Sequence, residues 1–118
     1  MNGEDAYYQV KEMMFEFMDR IGMPRPQPVA TNKSNAKYYY RQAVRYGDRD
    51  AAERHKQRFM QLGGVPSDLP DDVKLAHPLS GLHKTLRYDF RLTLNDEEKR
   101  VLDAANCWYR ENVFGNRV

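Results

Sequence analysis

Three observations in the sequence predict an all-α fold. Apolar residues recur at spacings of three and four in several segments, as on one face of a helix. Good helix N-cap residues precede these segments, and glycines follow them. No segment alternates apolar and polar residues in the manner of a half-buried strand. At 118 residues and 41% hydrophobic content, the chain can bury one modest core.

The first predicted helix is unusually apolar. It runs from about Glu4 to Ile21 and stops at Gly22, and its apolar residues cover more than half of its circumference. An ordinary surface helix needs a stripe of only about 100°. This helix is therefore either a central core helix or one that docks partly on another chain. Because methionine-rich faces adapt easily to other surfaces, we predict that its partner-binding residues are Met13, Met14, Phe17 and Met18.

A proline-rich segment follows the first helix. Prolines at alternate positions within residues 23–35 remove amide donors and favour an extended backbone. A linker of this length is long for a compact domain, so the first helix is predicted to be semi-detached. The predicted organisation is an apolar helix at residues 1–22, a linker at residues 23–35 and a helical domain at residues 36–118.

The helical domain is predicted to begin with a helical hairpin. Its first helix starts after Ser34 or Asn35, either of which is a good N-cap, and ends at Tyr46. Asp48 then caps a second helix that runs to about Leu62 and is closed by two glycines. A connection this short joins two antiparallel helices, which is the αα-hairpin motif.

Three more helices are predicted after the hairpin. Residues 70–76 begin with a proline and two aspartates, which favour a short helix. A helix at residues 83–92 follows the turn LSGL. Asn95 and Glu98 form a capping box for the last helix, which is predicted to end at Gly115.

Basic residues concentrate in the middle of the chain. The net charge is only +2, but residues 33–62 hold eight basic and three acidic side chains. Such a segment can attract phosphate groups or an acidic protein surface. The whole chain is nonetheless less basic than dedicated nucleic-acid-binding domains.

The segment AKYYYRQAVRYGDRD, residues 36–50, combines these charges with tyrosines. On a helical wheel Tyr39, Tyr40 and Tyr46 share an arc of about 160° with alanines, which predicts that they face inward. The opposite face could be a solvated surface, a protein-binding surface or a nucleic-acid-binding surface. Lys33 is predicted to lie outside this helix. The possible nucleic-acid-binding residues are Lys37, Tyr38, Arg41 and Arg45.

Candidate catalytic and metal-binding residues are few. His55 lies among apolar neighbours on its predicted helix and is expected to be packed. His77 and His83, even with Asp89 nearby, match no zinc-binding spacing. The single cysteine, Cys107, is expected to be an inert structural thiol. We therefore predict no catalytic residues, no metal and no cofactor, and a protein that is not an enzyme.

Several short motifs follow one another between residues 35 and 112. They are a Tyr-Tyr pair, Tyr-Gly-Asp at the hairpin, Gly-Gly after its second helix, and Pro-Leu-Ser-Gly-Leu. In their order and spacing they are similar to small helical modules of phage and prophage proteins. The resemblance carries no site residues. It implies a mobile-element protein that acts in particle assembly, packaging or host interaction.

These observations lead to two predicted functions. The first is a non-catalytic, phage-type structural or assembly module that binds a protein partner, or itself as a homo-oligomer, through helix-mediated contacts. The alternative is a nucleic-acid-binding module that uses the basic and tyrosine-bearing helix face. The chain has no apolar run of the roughly 18 residues that span a bilayer, so no membrane partner is expected. One cysteine and an acidic start predict a cytoplasmic location, and the resemblance to phage modules implies a virion-associated one as the alternative.

Overall fold

A computed structural model describes residues 2–25 and 27–114, and within them the prediction of an all-α fold is confirmed. This part of the chain contains no strand. A 3₁₀ turn at Pro66–Asp68 and a π-helical turn at Arg110–Phe114 accompany the α-helices. The α-helices of the described residues are α1 (Gly3–Arg20), α2 (Lys33–Arg45), α3 (Arg49–Gln61), α4 (Lys84–Leu92) and α5 (Asp96–Tyr109). None of them has the length and hydropathy of a membrane-spanning segment.

The described residues form two compact units. Residues 2–24 and 76–114, which we call the terminal unit, contain α1, α4 and α5. Residues 25 and 27–75, which we call the central unit, contain α2 and α3. This division differs from the predicted one, because α1 packs along α5 in the terminal unit instead of lying semi-detached before a linker.

Burial of the apolar face of α1 holds the terminal unit together. Asn2 caps the helix by accepting a hydrogen bond from the Asp5 backbone N–H at 2.8 Å. A Cβ atom on Gly3 would lie 2.5 Å from the Cβ of Trp108, so α1 and α5 meet at close range here. Farther along α1, Phe17 packs edge-on against Phe90 of α4, with their ring centroids 5.5 Å apart.

The central unit is the predicted αα-hairpin. Asp48 caps α3 as predicted, accepting a hydrogen bond from the Ala51 backbone N–H at 3.1 Å. The start of α2 differs from the prediction, because Asn32 is the N-cap and accepts from the Asn35 N–H at 2.8 Å. Lys33 therefore belongs to the helix.

Part of the predicted linker belongs to the core of the central unit. Ala30 is fully buried, and its carbonyl accepts a 2.9 Å hydrogen bond from Nε of Arg58 on α3. The same core contains Phe59 of α3 and Leu69, with Tyr39, Tyr40 and Leu62 packed around it. The extended backbone that the prolines predict is thus anchored at one end by side chains of the hairpin.

The prediction of a short helix at residues 70–76 is wrong, since this segment is irregular. A helix of this length has little intrinsic stability. The backbone carbonyls of the segment instead accept hydrogen bonds from side chains, each within its own unit. The Tyr7 hydroxyl donates to the Ala76 carbonyl at 2.7 Å, and Arg45 makes a long contact of 3.5 Å with the Lys74 carbonyl.

The last two predicted helices are present. The capping box of α5 is confirmed, with hydrogen bonds of 2.8 Å to the Asn95 side chain and 2.9 Å to the Glu98 side chain. Its predicted end at Gly115 lies outside the described residues. In α4 only Phe90 is buried, so this helix exposes most of its surface.

Candidate functional site

The residues predicted to bind a partner through the first helix lie in or beside the core. Met14, Phe17 and Met18 expose only 1%, 4% and 7% of their surface, and Met13 is half-buried. Because α1 packs against its own terminal unit, these side chains are not a free contact surface. Their burial corrects the prediction that they form a partner-binding surface.

The basic side of α2 is exposed. We define the basic face as Lys33, Lys37, Arg41, Arg45 and the neighbouring Tyr38. Its four cations follow one another at intervals of four residues, and the cap at Asn32 adds Lys33 to the three that the sequence predicted. At 1.5 Å per residue the row is about 18 Å long. The helix that carries it contains no acidic residue.

Three of these cations are available to a ligand. Lys33, Lys37 and Arg41 are exposed and make no ion pair or hydrogen bond with any residue that the structure describes. Arg45 is half-buried, and its guanidinium lies over the ring of Tyr46 with 5.8 Å between its Cζ atom and the ring centroid. The exposed Lys74 side chain belongs to the segment whose carbonyl Arg45 contacts, and it adds a further cation there.

The tyrosines divide between core and surface. Tyr39 and Tyr40 are half-buried against the core, as predicted. Tyr46 was predicted to face inward but is 40% exposed, because α2 ends at this residue. Tyr38 is 57% exposed and meets the Tyr39 ring edge-on, with the centroids 5.8 Å apart. One aromatic ring therefore stands beside the cations with a free surface.

The prediction of a packed His55 is confirmed. Its ring is buried and lies 5.5 Å, centroid to centroid, from the ring of Tyr39. Burial lowers the pKa of His55, the charge of Arg54 lowers it further, and Asp48 opposes them. This histidine is thus neutral at neutral pH and supports the tyrosine behind the basic face.

The terminal unit contains a buried lysine that the sequence analysis missed. Lys11 is fully buried, and its ammonium donates to the carbonyls of His77 and Ser80, both at 3.3 Å. Burial lowers the pKa of Lys11 to about 8, with a further contribution from the positive charge of Arg87. The sequence did contain a signal, because Lys11 occupies one position of a heptad stripe otherwise formed by Tyr7, Val10, Met14, Phe17 and Met18.

Lys11 also fixes the turn that carries His77. The imidazole Nδ1 accepts a hydrogen bond from the Leu79 backbone N–H at 3.1 Å, and the ring lies edge-on to Tyr109, with centroids 5.5 Å apart. Burial lowers the pKa of His77, and the charges of Arg87, Lys11 and Arg91 add to the effect. His83 and Asp89 are exposed, and the described residues contain no group of three potential metal ligands.

Cys107, which was expected to be an inert structural thiol, is exposed. Its Sγ donates to the Glu111 carboxylate at 3.4 Å. This hydrogen bond raises the pKa of the Cys107 thiol, and the negative charge of Glu111 raises it further. The fraction of reactive thiolate is therefore reduced.

Comparison of the chain with models of protein families, with characterised proteins and with solved structures finds no match. The resemblance to phage modules, and the assembly role that it implies, therefore stay predictions.

Proposed function

We propose that the central unit binds nucleic acid through the basic face. The observation that supports the proposal is the row of four cations on a helix without acidic residues. A polyanion gains affinity from such a row because each neutralised phosphate releases condensed counterions. With this surface exposed and three of the four residues of the first-helix hypothesis buried, nucleic-acid binding becomes the better-supported of the two predicted functions.

The spacing of the cations suits several phosphates of one strand. Successive members of the row lie about 6 Å apart along the helix axis. Lys33, Lys37 and Arg41 have no internal partner among the described residues, so a phosphate does not have to displace a carboxylate. Arg45 contributes less, because part of its guanidinium is already held by the Lys74 carbonyl and the Tyr46 ring.

The exposed tyrosine favours a single strand. Aromatic rings stack on unpaired bases, whereas the faces of paired bases are covered by their neighbours in a duplex. Tyr38 offers such a ring beside Arg41, and its contact with Tyr39 restricts its orientation. We therefore propose single-stranded DNA or RNA as the preferred ligand.

Fluorescence anisotropy with labelled single-stranded and duplex oligonucleotides tests the proposal across a series of salt concentrations. For four phosphate contacts with a single strand, log K should fall against log salt with a slope of about −3. The double variant Lys37→Glu with Arg41→Glu should abolish binding, since both side chains are exposed and their loss leaves the core intact.

The matched control is Lys99→Glu with Arg100→Glu, which makes the same charge change at exposed positions of α5. It should retain most of the affinity. Absence of binding at low salt would exclude the proposal. Equal loss in both double variants would mean that net charge, and not the basic face, governs the interaction.

Protein assembly is a second candidate function, favoured by an exposed apolar pair on α4. Tyr88 and Leu92 are 65% and 67% exposed and lie one helical turn apart. If this pair mediates self-association, light scattering should give an oligomer that Tyr88→Ser with Leu92→Ser converts to a monomer. A monomer for the unmodified chain at high concentration would contradict this candidate.

A further inference from the structure

A groove of about 540 Å³ in the terminal unit plays no part in the proposed contact at the basic face. Its volume lies in the range of small-molecule binding sites. The residues that line it come from the turn after the irregular segment, from α5 and from the π-helical turn: His77, Asp103, Asn106, Tyr109, Arg110 and Phe114. Five of these six side chains can form hydrogen bonds, and three of the six carry an aromatic ring.

The imidazole in this groove is held as a hydrogen-bond donor. Because Nδ1 of His77 accepts from the Leu79 N–H, the neutral ring carries its proton on Nε2. His77 makes no other side-chain hydrogen bond with a described residue, so its Nε2–H is available to a ligand. The buried ammonium of Lys11 fixes the backbone of this turn from behind, through the carbonyls of His77 and Ser80.

The charges around His77 favour an anion. After burial, the charges that lower the pKa of His77 are those of Arg87, Lys11 and Arg91. Asp103 contributes one carboxylate to the same lining, so the three cations outnumber it. Arg110 adds an exposed guanidinium at the groove, without an ion pair or a hydrogen bond from its side chain to a described residue. Two donors, one neutral and one charged, are thus free to bind an oxyanion.

The remaining lining groups suit a planar polar ring. Tyr109 and Phe114 offer aromatic surface, and Phe114 is 49% exposed. The Oδ1 atom of Asn106 is buried and has no hydrogen-bond partner among the residues that the structure describes. A buried polar atom left unpaired calls for a partner, because its desolvation is otherwise uncompensated.

We propose that this groove binds a small aromatic anion of the nucleotide class, with the phosphate on His77 and Arg110 and the base against Tyr109 and Phe114. The groove belongs to the terminal unit and the basic face to the central unit, and this proposal does not depend on the first one. The same chemistry occurs in a free mononucleotide and in the terminal nucleotide of a strand, and the experiment below distinguishes these two sources.

Isothermal titration calorimetry with AMP and CMP provides the direct test, with adenosine and inorganic phosphate as partial ligands. Both nucleotides should bind more tightly than either partial ligand. Arg110→Gln should weaken nucleotide binding by about tenfold or more, the loss of one charge-assisted hydrogen bond. Arg100→Gln is the matched control on the exposed surface of the same chain and should leave the affinity unchanged.

Nuclear magnetic resonance of the histidine side chains locates the bound ligand. The phosphate should shift the His77 imidazole signals and raise its pKa, while the signals of the exposed His83 stay in place. The variant Lys37→Glu with Arg41→Glu should still bind mononucleotides, which separates this inference from the proposed function. Titration with oligonucleotides that carry or lack a terminal phosphate then shows whether the groove binds the terminal nucleotide of a strand or only a free mononucleotide. Absence of binding, or equal affinity in Arg110→Gln, would overturn the proposal.

Discussion

The helices α1 and α2 both combine tyrosines with basic residues, but they use them in opposite ways. In α1, Lys11 has Tyr7 and Met14 as its neighbours along the helix face, and all three are buried. In α2, Lys37 has Lys33 and Arg41 about one turn away on either side, and all three are exposed. The residues one turn away therefore determine whether a lysine is enclosed or available to a ligand.

The two environments also impose different energetic requirements. A lysine enclosed without a carboxylate needs other polar groups, and the carbonyls of the His77–Ser80 turn supply them to Lys11. Exposed cations such as Lys37 and Arg41 need no partner, because water solvates them. Lys11 thus serves the internal structure of the terminal unit, whereas Lys37 and Arg41 of the central unit stay available for binding.

Of the substitutions that test this difference between α1 and α2, Phe17→Ala should have the largest effect. The side chain is 4% exposed and packs on Phe90, so its removal leaves a cavity in the terminal unit. We expect a loss of about 3–5 kcal/mol in the free energy of unfolding, measured by chemical denaturation. The control Tyr38→Ala lies on the exposed side of α2 and should change stability by no more than about 0.5 kcal/mol. Equal losses of stability in Phe17→Ala and Tyr38→Ala would contradict the difference in burial between the two helices.

The pH dependence of stability tests the buried lysine. Its pKa is about 8 in the folded protein and 10.5 for an ordinary lysine, so the folded state binds this proton less tightly than the unfolded state. The free energy of unfolding should therefore rise with pH across this interval by about 3 kcal/mol from Lys11 alone. Below pH 8, Lys11 is protonated in both the folded and the unfolded state, and its burial destabilises the fold to the full extent. Above pH 10.5, Lys11 is neutral in both states, and this destabilisation is absent.

The difference between the unmodified chain and Lys11→Met isolates this contribution from other titrating groups. As the pH increases from 7 to 10.5, the unmodified chain should gain about 3 kcal/mol relative to the variant. Lys37→Met, which removes an exposed lysine from the basic face, should show no comparable gain. If the difference in unfolding free energy between the unmodified chain and Lys11→Met stays constant with pH, the ammonium is better solvated than its burial indicates.

Local rules predicted the elements of this fold better than their assembly. Caps such as Asp48 and the Asn95–Glu98 box depend on neighbouring residues only, and the structure contains both. The packing of α1 on α5 joins segments at opposite ends of the sequence, and no local pattern specifies that pairing. The apolar width of α1 indicated that the helix is buried, but it could not identify which surface covers it.

The candidate sites were predictable to different degrees for the same reason. The basic face repeats every four residues within one helix, so the helical period alone found Lys37, Arg41 and Arg45. The groove at His77 combines a turn, α5 and the residues after it, and its Lys11 support comes from α1. A site assembled from distant segments leaves no spacing in the sequence, although the lysine within an apolar stripe was a detectable signal.

The smallest expected effect concerns the ring of Tyr38 and separates stacking from charge on the basic face. Tyr38→Ala should reduce affinity for a single-stranded oligonucleotide by about 1–3 kcal/mol, the range for loss of one base–aromatic stack. Tyr38→Phe retains the ring and should bind almost as tightly as the unmodified chain. Neither variant removes a cation, so both should leave the salt dependence of binding unchanged. A shallower salt dependence in Tyr38→Ala would instead mean that the ring acts by positioning Arg41, and equal losses in the two variants would assign the effect to the hydroxyl group.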